Sequence, residues 1–167
     1  MTKSKIGEVI NAMVSYNSGD VRRINHFLKV YSFAKTIGEM ENLTEETQNI
    51  LEIAAVTHDI GIKRSEQKYN SCAGNYQQIE GPPEAKILLS ALNIEDEIIE
   101  RVCFLIAHHH TYHNITGIDY QILVEADFLV NAYEDNMDYV AIEKVKNKLF
   151  QTKTGKTMLD QMYLKSM

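Results

Sequence analysis

The chain has 167 residues, enough for one hydrophobic core, and its 44% hydrophobic and 24% charged content is that of an ordinary globular protein. Seventeen Lys and Arg against 23 Asp and Glu leave a formal charge of -6, which argues against a nucleic-acid polymer or an anionic membrane as partner. With two cysteines lacking CxxC spacing, no apolar leader in MTKSKIGEVI and no apolar run long enough to span a bilayer, the expected location is cytoplasmic.

Residues 4–15 place Ile6, Val9, Ile10, Met13 and Val14 on one helical stripe, a packing helix that ends near Asn17-Ser18-Gly19. Asp20 is a predicted N-cap for a longer helix to about Met40, along which Arg23, His26, Val30, Phe33 and Ile37 share one line. A single histidine on an apolar face is ordinarily a hydrogen-bonded core residue. Arg22 and Arg23, one turn earlier, weaken that reading. Thr44 with Glu45 and Glu46 predicts the start of a third helix, which carries Ile50, Leu51, Ile53, Ala54 and Val56 down to His58-Asp59 and ends at Gly61. An imidazole and a carboxylate closing a buried helix are costly unless paired or ligated. A divalent cation satisfies both at once.

Residues 63–80 have little periodicity and read as one long irregular segment, either a cover over the His-Asp pair or a plain connection. Gly81-Pro82-Pro83 reads as a turn with proline at the first helical position, opening a fourth helix to about Leu92. Asn93, with Asp96 three residues on, is the predicted cap of the fifth. On that helix Ile98, Val102, Leu105 and His109 form one line and Ile99, Cys103, Ile106 and His110 the next, so both histidines continue the buried stripe while His108 faces solvent. The dipole of a helix C-terminus favours a histidine there, which explains one of the two. After the turn at Asn114-Ile115-Thr116-Gly117 a sixth helix carries Ile122, Leu123, Ala126, Leu129 and Val130, with Asp127 in its middle. A buried aspartate there needs a partner. Residues 138–165 read as one or two amphipathic packing helices. Thr154-Gly155-Lys156-Thr157 has the tail of a phosphate-binding P-loop, but Phe150 stands where the first glycine belongs, so it is a chance match.

His26, His58, Asp59 and Asp127 form a mixed nitrogen and oxygen set on three predicted helices, suited to Mn, Fe, Co, Ni or Mg and leaving positions for water and substrate. The order H, then HD, then D, with the strings RINHFLKV, AAVTHDIGI, GPPEAKILL, HHH and VEADFLV, resembles the HD-domain superfamily of metal-dependent phosphohydrolases over about residues 21–133. The resemblance implies an all-α, compact, single-domain bundle over residues 1–167, with about 6–8 helices, a metal-site core at 21–133 and packing helices at 138–165. It implies His26, His58, Asp59 and Asp127 as metal ligands and hydrolysis of a phosphate ester or anhydride, often a nucleotide. Asp59 would orient the attacking water, and His109 or His110 would hold a phosphate oxygen or protonate the leaving group. Arg23, with Lys63 or Arg64, would neutralise phosphate charge.

Two departures from the family pattern bear on the site. Many members carry lysine directly after HDIG, where this chain has Ile62 followed by Lys63 and Arg64. Members with two metals use a further histidine near the GPPEA stretch, where Gln77, Gln78, Glu80 and Glu84 stand instead. One cation is therefore expected ahead of two, with Glu80 the candidate for a second ion or for the substrate. Two alternatives remain: a di-iron oxygenase, since some relatives of this fold house such a centre, and a non-catalytic nucleotide-binding module. The expected partner is a small phosphorylated substrate, with a homodimer left open.

Overall fold

The computed structural model describes residues 4–165, so both ends of the expected 1–167 domain lie outside the described residues. Among the described residues there are nine α-helices and no strand: α1 Ile6–Tyr16, α2 Val21–Met40, α3 Glu45–Thr57, α4 Gly61–Tyr69, α5 Gly74–Ala91, α6 Asp96–His108, α7 Ile118–Glu134, α8 Tyr139–Leu149 and α9 Lys153–Leu159, followed by a π-helical turn Asp160–Leu164. The all-helical architecture is the one the sequence predicts. Side-chain oxygens start four of the helices: Asp20, Thr44, Asp138 and Thr152 accept from the amides of Arg23, Thr47, Ala141 and Gly155. α2, α4, α5 and α7 end on or beside an asparagine at positive φ, Asn42, Asn70, Asn93 and Asn136 respectively, while Gly19 plays that part after α1 and Asn114 lies in the connection before α7. Asn93 thus lies in the turn that closes α5 and does not cap α6, whose N-cap is Glu95.

The core is organised around α3, buried at every position from Ile50 to Thr57, and α7, buried at twelve of its positions. α2 packs across both, and α1 and α6 cover α3. This arrangement brings the second turn of α2, the end of α3 and the middle of α7 to one place.

The segment 63–80 is not irregular. Nearly all of it belongs to α4 and to an α5 that runs straight through Gly81-Pro82-Pro83. The prolines forfeit two backbone hydrogen bonds, and α5 stays helical because it is packed along α4 on one side and α6 on the other. Gly61 opens α4 instead of ending α3, and a Cβ there would lie 2.7 Å from both the Gln77 carbonyl oxygen and the Gly81 amide nitrogen. A Cβ on Gly81 would strike Ile106 at 2.6 Å. Both glycines are contact points between helices.

Candidate metal centre

α2 supplies His26, with 12% of its side chain accessible, and α7 supplies Asp127, with 7%. α3 ends at Thr57, and the backbone stays helical through His58 into the turn before α4, which holds His58 and Asp59 at the junction of the two helices. His58 is fully buried, and Asp59, the most open of the four, has 22% of its side chain accessible. His26 Nε2 lies 3.3 Å from His58 Nε2, 3.2 Å from Asp59 Oδ2 and 3.2 Å from Asp127 Oδ1. His58 Nε2 lies 3.3 Å from Asp59 Oδ2 and 3.4 Å from Asp127 Oδ1. Donors about 2.0–2.2 Å from a shared cation are spaced from one another by about 3.0–3.5 Å, so the set fits a divalent ion.

The imidazoles are turned inward by their other nitrogens. His58 Nδ1–H donates to the Ala55 carbonyl at 2.8 Å, His109 Nδ1–H to the Ile106 carbonyl at 2.8 Å, and His26 Nδ1–H to Glu134 Oε1 at 2.6 Å. Two buried atoms at the centre, His109 Nε2 and Asp127 Oδ1, have no hydrogen-bond partner among the described residues. An orphaned imidazole nitrogen and an orphaned carboxylate oxygen beside two further imidazole nitrogens 3.3 Å apart are what a cation would satisfy.

The electrostatics agree. Burial works against a charged His26, yet the carboxylates of Asp127 and Asp59, each 3.2 Å from its Nε2, prevail and push it up to about 10. Burial likewise opposes charge on His58, and the fields of Asp59 and Asp127 hold it well above the usual imidazole range. Burial alone would raise Asp59 and Asp127, but His58 leads the neighbouring imidazoles in holding both below the usual carboxylate range. Two anions in a buried site thus demand positive charge, supplied by protons or by a cation.

A second group adjoins the first. Asp59 Oδ1 faces His109 Nε2 at 3.4 Å, and Asp59, His109 and His110 bring ligand atoms within 4.8 Å of one another. Asp59 therefore presents one oxygen to each group. His109 is fully buried; His110 is partly buried, stacks on His109 at 4.0 Å between ring centroids and donates through Nε2–H to Gln77 Oε1 at 3.0 Å. Burial, then His109, pulls His110 down to about 4, so its ring is neutral. His108 is not free in solvent: its Nδ1–H bonds the Phe104 carbonyl at 2.7 Å and its ring stacks on Phe104.

The remaining candidates are engaged elsewhere. Arg23 pairs with Asp20 and Glu66. Lys63 donates to the Tyr16 carbonyl at 3.0 Å, and Arg64 is exposed on α4. Glu80 is taken by Lys68 at 2.9 Å and Tyr69 at 2.8 Å and joins neither metal group, which removes it as the expected second-ion ligand. Glu134 and Tyr112 are residues the sequence reading passes over, and Gln77, named there only as standing in place of a family histidine, is the partner of His110. Burial at its hydroxyl end, then Asp127 and Asp59, raises the Tyr112 phenol to about 12 although the residue as a whole is exposed, so Tyr112 stands at the rim of the site within the field of the carboxylates. Its place two residues after His110 is the signal that could have found it. A groove of about 680 Å³ lies elsewhere, among Lys35, Glu45, Glu52 and Glu95, and contains none of the cluster residues.

Residues 23–147 match the family model of the HD domain. The structure is similar to the crystal structure of a predicted HD superfamily hydrolase from an uncultured Thermotogales bacterium, with a TM-score of 0.68 and 23% identity over 94% of this chain and 84% of that one. At that identity the likeness is one of fold. No curated protein matches the sequence.

Proposed function

Because the chain belongs to the HD domain family, we propose that it is a metal-dependent hydrolase and, more narrowly, a phosphohydrolase acting on a small phosphate ester or anhydride such as a nucleotide. The observation that carries the reading is the convergence of His26, His58, Asp59 and Asp127, every measured spacing between imidazole and carboxylate falling between 3.2 and 3.4 Å. A bound divalent cation supplies Lewis acidity and lowers the pKa of its water from about 15.7 toward about 7–9.

The chain's own groups do the rest. Asp59 is the one ligand with substantial access, and its two oxygens let it orient a water on the substrate side while holding its place in the cluster. His109 presents a buried nitrogen without a hydrogen-bond partner toward that water. His110, neutral and tied to Gln77, suits holding a phosphate oxygen or a second cation better than delivering a proton. Arg23 would exchange Glu66 for substrate phosphate, a swap favoured by the planar fork of a guanidinium. Lys63 and Arg64, exposed on the neighbouring α4, add positive charge near the approach.

The test is elemental analysis of purified protein, then phosphate release from mononucleotides, triphosphates, cyclic nucleotides and dinucleotides with Mn, Co, Ni and Mg. Asp59→Ala should lose both bound metal and turnover. Turnover retained in that variant without metal would remove the scheme. The Asp59, His109 and His110 group supports a second reading, a two-iron oxygenase, for which the expected result is two irons per chain and oxygen consumption.

A further inference from the structure

Three imidazoles face the centre, and each is fixed through Nδ1. His58 and His109 are held by backbone carbonyls of their own helices, three residues back in each case. His26 alone is held by a carboxylate, Glu134 Oε1, 108 residues away and at 2.6 Å. That carboxylate is only 13% accessible. It closes α7, where the helix dipole disfavours negative charge, so helix propensity does not account for it. It also lies seven residues after Asp127, two turns along the same face. α7 therefore grips His26 at both nitrogens, with Asp127 Oδ1 at Nε2 and Glu134 Oε1 at Nδ1.

We propose that Glu134 is a positioning residue of the metal centre: it fixes the Nδ1–H tautomer of His26, aims Nε2 inward and strengthens that nitrogen as a donor, so that it sets how tightly the cation is held. A carboxylate behind a metal-bound imidazole does this by drawing on the Nδ1 proton, which leaves more electron density at Nε2, whereas a peptide carbonyl does so less. Glu134 touches neither substrate nor cation in this role. The inference rests on the metal reading of the cluster and adds a residue outside it.

The experiment uses the full chain as wild type, Glu134→Gln and Glu134→Ala, each stripped with chelator and dialysed. Co2+ and Mn2+ are titrated in competition with a chelating dye, the visible spectrum of the Co2+ form is recorded, and metal-free melting curves are taken. The expected result is a loss of affinity of about 10–100-fold in Glu134→Ala with an altered Co2+ spectrum. Glu134→Gln, nearly isosteric and still able to accept the Nδ1 proton, should lose less, and it carries the test if the alanine variant does not fold. Equal dissociation constants and identical Co2+ spectra in all three proteins would overturn the proposal. So would a lower metal-free melting temperature with unchanged metal affinity, which is the mark of a purely structural ion pair. If wild type itself takes up neither ion, the metal reading falls with it; if wild type binds and the variants bind equally, only the role of Glu134 falls.

Discussion

Two carboxylates on α7, Glu125 and Asp127, are both buried and only two residues apart, yet they live in opposite chemistry. Two residues is roughly 200° around a helix, so the side chains face different regions. Glu125 turns to the C-terminal segment. Its oxygens accept from Gln121 Nε2 at 2.6 Å, the Gln151 amide at 3.1 Å, the Thr152 amide at 3.2 Å and the Thr152 hydroxyl at 2.6 Å. Asp127 turns to α2 and α3, and its Oδ1 has no hydrogen-bond partner among the imidazole nitrogens around it. A carboxylate surrounded by donors that cannot leave holds the chain together. A carboxylate surrounded by imidazoles, whose protons can be exchanged for a cation, makes a site.

The largest expected effect breaks the Glu125 side of that contrast. Glu125→Ala leaves the Gln121 side chain and the Gln151 and Thr152 amides without their acceptor, and should cost about 3–5 kcal/mol in denaturant unfolding. The loss should be the same in excess chelator and in excess Mn2+. A loss that tracks metal content would erase the distinction between the two carboxylates. The Asp127 side is sharpened by the complementary experiment. Wild type with a cation at a hundred times its dissociation constant should gain about 2.7 kcal/mol over the chelated protein. Asp127→Asn should show no gain, and equal gains in the two proteins would count against Asp127 as a ligand.

The pH dependence of chelated wild type should come next in size. His26 has its folded pKa raised to about 10 from the ordinary imidazole value of about 6.5. The stability it contributes is complete below its unfolded pKa and is lost as pH rises through the folded one. Asp59 and Asp127 are shifted down, so their contribution is present above the unfolded carboxylate pKa and is lost as pH falls below it. The unfolding free energy of the chelated protein from urea titration should therefore fall from pH 7 toward pH 10, by on the order of 2 kcal/mol. Saturating cation should flatten that slope, because the imidazoles have already given up their protons. A chelated protein that grows more stable toward pH 10 would contradict the charge state drawn for His26.

These contrasts also explain what can be read from the residues alone. The starts of α2 and α3 are legible because Asp20 and Thr44 announce them chemically, whereas the end of α3 is not, the backbone staying helical past Thr57 toward Gly61. His26, His58, Asp59 and Asp127 are legible as a group because each is a costly residue on an otherwise apolar line. α4 is not, because its buried residues are Gly61 and Ser65, and the buried face of α5 includes Gln77, Glu80 and Gly81, so neither shows the apolar stripe that periodicity detects. Glu80 misleads for a related reason: its partners Lys68 and Tyr69 come from a helix that the sequence conceals. Glu134 is invisible because a glutamate closing a helix ordinarily faces solvent.

The smallest effect returns to Glu125 from the other side. Thr154-Gly155-Lys156-Thr157 binds no phosphate in this reading; its glycine is there because α9 begins against a buried carboxylate. Thr152 caps α9 through the Gly155 amide at 2.9 Å while its hydroxyl donates to Glu125. A Cβ on Gly155 would lie 2.0 Å from Glu125 Oε1 and 2.7 Å from Thr152 Oγ1. Glu125 cannot retreat without breaking bonds to Thr152 and Gln151, so Gly155→Ala should cost about 1–2 kcal/mol although alanine is the better helix former. Made in the Glu125→Ala background, the same change should cost less, because the nearer of the two oxygens it strikes is gone and only Thr152 Oγ1 remains in the way. Additive losses in the double variant would show that Gly155 answers to something other than Glu125.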